Sequence, residues 1–402
     1  MKIAFICDYY FPFEVSGAEV SSRILAEELA KAGQEILVIT PKYEDSSDQE
    51  KKENIKIYRF PFINKKKVNS LPPYLVNNPV WYIYAATEIF KILRKEKVDI
   101  LHVQNKNLFI PTAIANFFLH KPILATARDY RYLCDLGVCL LKESPKICSP
   151  KEYLLSDIPK YIKLYKKKTI TVFVMSYIIG IYNLLLREVY KILLKKISKV
   201  VCVSKSVEKI YNQAGIQNTT TIYNLIKFKS FASKQKKQIL FVGRYTPGKG
   251  KELLNLIIPQ FLKKHKEWQC ILITRDKVEI SHDRLNLIDY LPHEKILHLM
   301  SQVSFVIVPS MWPEPLSRAA LDALFIGTPV IASKRGAMTE IITEGINGYT
   351  FDYTETDFLK KIDLGIQNLT LLKKNITAHK KDFQKKFHID PINKYLSLIK
   401  NL

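Results

Sequence analysis

Short apolar runs alternate with stretches of helical periodicity along most of the chain. "KIAFICD" is an apolar run that ends at a turn. "AEVSSRILAEELAKAG" then carries apolar residues at helical spacing and stops at Gly33. "EILVIT", "DILHVQ", "PILATA" and "KVVCVS" follow as further strands with helical stretches between them. A second series starts at "QILFVGR" and runs through "QCILIT", "LNLIDY", "VSFVIVPS" and "PVIAS". Apolar strands without alternation, separated by helices, predict parallel sheets covered on both faces. The polar, basic stretch "YNLIKFKSFASKQKK" reads as a linker. The pattern therefore predicts two doubly wound α/β domains, about 1–230 and 237–380, with a terminal helix in 381–402.

One insertion breaks the alternation. Over about 151–199 the pattern turns helical and strongly apolar, and "TITVFVMSYIIGIYNLLL", residues 169–186, carries no charge. Its length lies at the threshold for a membrane span. Lys166, Lys167 and Lys168 precede it, and Arg187 follows. Upstream, Tyr153, Tyr161 and Tyr165 are mixed with lysines, a composition suited to a headgroup region. The segment is expected to lie in the interface or to dip in and return, on an anionic membrane surface reached through 151–187. The alternative is a helical hairpin buried against the first domain.

Composition changes the picture little. A chain of 402 residues, 47% hydrophobic and 25% charged, is globular and long enough for two cores. The formal net charge of +24 suits anionic lipid, nucleic acid or phosphorylated substrates, or a lysine-rich solvated surface. No recognised nucleic-acid module accompanies it, so no nucleic-acid partner is expected. Cys7, Cys202 and Cys270 lie in apolar runs and read as core residues. Cys134, Cys139 and Cys148 cluster on a loop; three thiols could be most of a zinc site, but their spacing is irregular, no histidine is nearby in sequence, and no metal is expected there. "MKIAFICDYY" meets Asp8 too early for a signal peptide, so a reducing cytoplasm is expected.

Candidate chemistry begins at "FVGRYTPGKGKELL". Gly243, four residues, Gly248 and Lys249 match a phosphate-binding P-loop, but Gly250 stands where Ser or Thr would hold Mg²⁺. A glycine turn and a lysine ahead of a helix still favour phosphate. Arg244 and Lys249 are two cations suited to a diphosphate without a divalent ion. The strand "VSFVIVPS" ends without Asp, and no Asp-x-Asp pair occurs in the chain, which argues against a metal-dependent triphosphatase. An ordinary Gly-Lys turn is the plainer reading. "VPSMWPEPLSRAALDALFIGTPVIAS" then reads as strand, loop, helix, turn and strand. A helix starting near Pro315 puts Glu314 at the carboxyl edge of the strands, where α/β sheets bind ligands. Asp322 falls about two turns into it. Both carboxylates then suit sugar and ribose hydroxyls, or form a pair of surface acids.

This stretch resembles the glutamate-x₇-glutamate motif of glycosyltransferase family 4, retaining enzymes of the GT-B fold. "FVGRYTPGKG" resembles the family's diphosphate site. "TPVIASKRGAMTEIITEGINGY", "VVCVSKSVEKIY", "TIYNLI" and "DYYFPFEVSGAEV" are similar to its other landmarks. The resemblance covers nearly the whole chain. It implies two Rossmann-like domains facing a central cleft: the first, with the apolar insertion, for the acceptor, and the second for a nucleotide-diphosphate sugar. The terminal helix then packs back on the first domain.

The resemblance also implies roles. Arg244 and Lys249 stabilise the departing diphosphate, beside Gly243. Glu314 contacts the donor sugar, with Pro315, Leu316 and Ser317 around the donor, and Asp322 meets the ribose. Gly17 lets backbone approach the phosphates. No cofactor or metal is implied. Two departures stand out. Asp322 replaces the family's glutamate, and Arg128-Asp129 replaces its usual His-Asp. Arg128 is either a third cation for the leaving group, a sign of an altered site, or a partner of Asp129 or another acid. His102 is either an acceptor contact or a packed strand-end residue. The expected activity is metal-independent retaining hexosyl transfer to a lipid-linked or other membrane-associated glycan, at the inner face of the cell membrane. A nucleotide-sugar 2-epimerase and a non-catalytic partner of another transferase are the rival readings.

Overall fold

The computed structural model describes residues 1–14, 17–44, 46–62, 77–142, 145–165, 169–227 and 235–402. The chain forms two compact units. The first comprises Met1–Gly137, Lys146–Leu225 and His388–Leu402; the second comprises Val138–Pro145 and Ile226–Phe387. Part of the stretch read as a linker, and the Lys166, Lys167 and Lys168 triplet, lie outside the described residues.

The first unit is built on an eight-stranded sheet of order β3-β4-β2-β1-β5-β6-β7-β8. In chain order the strands are β1 (Lys2–Ile6), β2 (Glu35–Pro41), β3 (Gln49–Lys52), β4 (Ile55–Phe60), β5 (Ile100–Val103), β6 (Ile123–Ala127), β7 (Lys199–Cys202) and β8 (Thr219–Thr221). All pairings are parallel except β3 with β4. β1, β5 and β6 are buried on both faces almost throughout, which is why they read as continuous apolar runs. Helices α1 (Gly17–Lys31), α2 (Pro79–Glu96), α3 (Phe109–Asn116), α4 (Ile158–Tyr165), α5 (Ile170–Lys196) and α6 (Lys205–Gln213) belong to this unit.

The second unit carries a six-stranded sheet of order β11-β10-β9-β12-β13-β14. Its strands are β9 (Lys236–Val242), β10 (Gln269–Ile273), β11 (Leu285–Ile288), β12 (Val303–Val308), β13 (Val330–Ser333) and β14 (Gly348–Phe351), all parallel. α7 (Lys251–Lys264), α8 (His293–Gln302), α9 (Arg318–Ile326), α10 (Glu355–Gln367) and α11 (Leu369–Ala378) surround it. The terminal α12 (Asp390–Lys400) belongs to the first unit, where Tyr395 and Ile399 join the core formed by Ile3, Phe5 and Leu124.

The apolar insertion departs from the buried-hairpin alternative. α5 is one helix of 27 residues, capped by the Thr169 hydroxyl, which accepts the Val172 N–H. α4 packs against its middle: a Cβ on Gly180 would stand 2.4 Å from Ile158 Cδ1. Leu186, Arg187, Tyr190 and Leu194 anchor the second half in the unit. The first half is open. Ile170, Val174, Ile178, Ile179 and Ile181 are at least half exposed, and only 17% of the most apolar window is buried.

Candidate functional site

The turn after β9 shows why the P-loop pattern breaks. Pro247–Lys249 make a single 3-10 turn, and Gly250 follows at φ 89°, in the left-handed region. A Cβ there would stand 1.9 Å from the Pro309 carbonyl oxygen at the end of β12. Gly250 is thus required twice over, by backbone conformation and by close approach. A Walker-type Ser cannot occupy this position without moving β12. Gly250→Ser is expected to lower stability by ~1–2 kcal/mol from left-handed strain alone, and by more from the clash with the Pro309 carbonyl. A thermal melt matching that of the parent protein would contradict this account of the turn.

Each cation of the turn already has a carboxylate. The Arg244 guanidinium makes two bonds to Asp276, of 2.8 and 2.9 Å, and Asp276 also accepts the Tyr245 N–H at 2.7 Å. These contacts hold the Asp276 carboxyl below its ordinary range. Lys249 Nζ donates to Glu314 Oε1 at 2.6 Å. The Ser310 hydroxyl donates to the same oxygen. Glu314 is buried, so Lys249 compensates a carboxylate that would otherwise be costly to bury.

The Glu314 loop is interlocked with the turn after β13. Gly336 sits at φ 61°, and a Cβ there would stand 2.3 Å from the Glu314 carbonyl oxygen. The Ala337 N–H donates to that oxygen at 2.8 Å, and Ser333 Oγ donates to the Ser310 carbonyl at 2.6 Å. The Trp312 N–H reaches back to the Gly248 carbonyl at 2.9 Å. Glu314, Lys249 and the glycine turn are thereby held as one body at the carboxyl ends of β9, β12 and β13.

The helix after Glu314 begins later than its sequence predicts. Ser317, not a residue near Pro315, is the N-cap: its hydroxyl accepts the Ala320 N–H, and α9 starts at Arg318. Pro315 and Leu316 lie in the preceding turn. Asp322 is therefore about one turn into the helix, buried and already engaged. Its Oδ1 pairs with Arg318 at 2.9 Å and its Oδ2 with His293 Nε2 at 2.8 Å. Burial pushes this carboxyl up, but Arg318 and His293 outweigh it and leave it below the ordinary range. In this structure each Asp322 oxygen already has a partner from the second unit.

In the first unit the predicted residues divide. Gly17 opens α1. Asp129 does not pair with Arg128; it accepts the backbone and side-chain N–H groups of Arg131 at 2.8 and 2.7 Å. Arg128 instead donates to Asn224 Oδ1 at 2.7 Å and Gln104 Oε1 at 2.6 Å. His102 is fully buried between Phe5 and Tyr395, with Nε2 2.8 Å from Thr126 Oγ1. Burial, aided by the charge on Arg128, holds its ring down to about 3, so it stays neutral. It is a core residue here rather than an acceptor contact. Cys134, Cys139 and Cys148 are buried, as are Cys7, Cys202 and Cys270.

Several partners escaped the sequence reading. Asp276 lies 32 residues from Arg244, and His293 lies 29 from Asp322, so neither pair has a local signal. Gly336 stands in a stretch quoted for the family resemblance, and its role beside Glu314 emerges only from the fold.

Residues 15–228 match the family described as Glycosyltransferase Family 4, and residues 223–382 match Glycosyl transferases group 1. An uncharacterized glycosyltransferase of Methanocaldococcus jannaschii is 26% identical over 416 residues, spanning 98% of this chain and 96% of its own. The GPI3 subunit of the Saccharomyces cerevisiae phosphatidylinositol N-acetylglucosaminyltransferase is 22% identical over 91% of this chain and 75% of its own. Among solved structures, Anabaena HepE in complex with UDP-glucose superposes with a TM-score of 0.66 at 17% identity, covering all of both chains. That likeness places both units in the GT-B fold, each as a Rossmann-like domain.

Proposed function

The chain belongs to glycosyltransferase family 4, and on that footing we propose that it transfers a sugar, with retention and without a metal, from a nucleotide-diphosphate sugar to a lipid-linked acceptor. The observation that carries the donor reading is the Lys249–Glu314 pair at the carboxyl ends of β9 and β12. A diphosphate arriving at the glycine turn competes for Lys249 and frees Glu314 to accept hydrogen bonds from sugar hydroxyls. Binding of the leaving group and orientation of the sugar are then coupled through one ion pair. Arg244, fixed by Asp276, adds a second cation to the departing diphosphate. Fixed cations and N–H groups aimed at developing charge supply the main part of catalysis. The UDP-glucose held by Anabaena HepE, a protein of the same fold, is consistent with such a donor.

Metal independence rests on chemistry present in the chain. Arg244 and Lys249 supply the charge that a divalent ion would otherwise supply, and there is no Asp-x-Asp to grip one. Transfer is expected to proceed at an unchanged rate in EDTA; loss in EDTA with recovery on Mg²⁺ or Mn²⁺ contradicts this. Glu314→Gln is expected to cut turnover far more than nucleotide affinity, because the lost acceptor faces the sugar. Asp322→Asn is expected to weaken nucleotide binding through α9, since it breaks the tie to Arg318 and His293. Calorimetry with free nucleotide separates the two, and a reversed order of effects overturns these assignments.

The acceptor side follows from α5. Its exposed apolar half is a surface suited to a bilayer interface. The yeast relative is named for phosphatidylinositol, which is in keeping with a lipid acceptor. The protein then works as a peripheral enzyme on the cytoplasmic face, where its donor is made.

A further inference from the structure

The exposed apolar surface of α5 does not stop at its open first half. Val174, Ile178, Ile181, Leu185, Val189 and Ile192 recur at intervals of four or three residues, and all are between 42% and 65% exposed. That spacing sets them in one line along the helix, about 27 Å long. The last three belong to the half whose opposite side, at Leu186, Tyr190 and Leu194, packs into the first unit. A one-sided apolar line of this length is the mark of a helix lying flat on an interface.

The line runs toward a second apolar patch in the same unit. β5, β6 and β7 are parallel neighbours, so α3 and α5, which connect them, lie on one face of the sheet and run back to its amino edge. The Phe109 and Tyr190 rings stack with centroids 6.1 Å apart, which sets the two helices side by side. Phe117 lies about 12 Å along α3 from Phe109, and Lys196 about 9 Å along α5 from Tyr190, so both come to the same edge. There Phe117 and Phe118 are 71% and 69% exposed, with Ile114 exposed beside them. The two rings are 5.3 Å apart, and Phe118 meets Phe90 of α2 edge-on at 5.8 Å.

Cations share this edge. Arg94 is one turn beyond Phe90, on a helix whose Glu96 pairs with Lys2 at the start of β1; Lys196 ends α5, and Lys121 is three residues past Phe118. Arg94 and Lys196 are exposed. The core of a protein–protein interface is depleted in lysine, whereas aromatic rings among basic residues suit lipid headgroups. Anionic lipid complements the charge.

We propose that Ile114, Phe117 and Phe118 form a second membrane contact, which together with the α5 line lays the helix layer of the first unit lengthwise on an anionic bilayer. This rests on the membrane reading of α5 given above. Two exposed rings alone hold a protein weakly, so the patch adds to α5 and fixes the orientation of the unit.

The test is partition of the full-length protein onto vesicles of phosphatidylcholine and phosphatidylglycerol, with thermal melts to confirm folding. Phe117→Ser with Phe118→Ser is expected to melt as the parent does, since both rings are exposed, and to partition about tenfold more weakly. Phe118→Trp is expected to keep the parent's partition, and its added emission is expected to be quenched by brominated lipid. A parent that partitions, with the double-serine variant partitioning equally and the added tryptophan unquenched, overturns the second contact and leaves the α5 reading standing. A parent that does not partition overturns both. A double-serine variant that turns a dimer into a monomer with partition unchanged assigns the patch to a second copy of the chain and overturns the proposal.

Discussion

Lys249→Ala is expected to lose about ten- to hundred-fold in transfer rate while remaining folded. A charge-assisted hydrogen bond contributes roughly 1.5–3 kcal/mol, which converts to that range. The loss is larger in kcat if the contact tightens as the diphosphate departs. The structure adds a second consequence. Lys249 is also the counter-charge of the buried Glu314, so the variant leaves that carboxylate with only the Ser310 hydroxyl at Oε1. The double variant Lys249→Ala with Glu314→Gln removes the stranded charge. It is expected to regain thermal stability relative to Lys249→Ala without regaining activity. Full activity in a folded Lys249→Ala protein would remove the diphosphate role.

Deletion of 169–186 is expected to abolish flotation with anionic vesicles, the largest effect anticipated on membrane association. The exposed half of α5 presents Ile170, Phe173, Val174, Ile178 and Ile181 to solvent. Burial of such side chains against lipid contributes about 1.5–3 kcal/mol each. Its second half is held by Leu186, Tyr190 and Leu194, so the helix is fixed to the unit while its free half remains available. Because the deletion also removes part of that packing, a gentler variant is needed. Ile178→Asp with Ile181→Asp leaves the buried positions intact and is expected to reduce flotation strongly. Reversal of Lys166, Lys167 and Lys168 is expected to weaken binding and make it less sensitive to salt, since each lysine near an anionic surface contributes about 1 kcal/mol. An intact protein that stays in solution with anionic vesicles at low salt contradicts the membrane reading.

Much of the architecture was legible because both sheets are parallel and buried over their central strands. β1, β2, β12 and the Ile239–Phe241 stretch of β9 announce themselves as apolar runs, since almost none of their residues meets water. β3 gave no such signal: "QEKK" is exposed throughout and is held by antiparallel pairing to β4 and an ion pair from Glu50 to Arg59. β14 was hidden for another reason. It begins at Gly348, where a Cβ would stand 2.0 Å from the Val330 carbonyl, and a glycine there weakens the strand signal.

The site was legible where chemistry is local. Gly250, Lys249 and Glu314 lie in short stretches whose residue types already point to a phosphate turn and a ligand loop. What each side chain touches was not legible, because those partners are brought together by the fold. Asp276 on Arg244, His293 on Asp322, and Gln104 and Asn224 on Arg128 are all long-range. The start of α9 was misplaced because Pro315 is a good first-turn residue and so is Ser317 as a cap. The hydroxyl bond to Ala320 decides between them.

Sugar transfer itself is tested most directly by mass spectrometry of products formed from a panel of nucleotide-diphosphate sugars with a membrane lipid extract, in EDTA. The account predicts one donor consumed, free nucleoside diphosphate released, and a lipid gaining the mass of one sugar with retained anomeric configuration. Donor binding without any such product, or interconversion of donor epimers with no acceptor present, would contradict it.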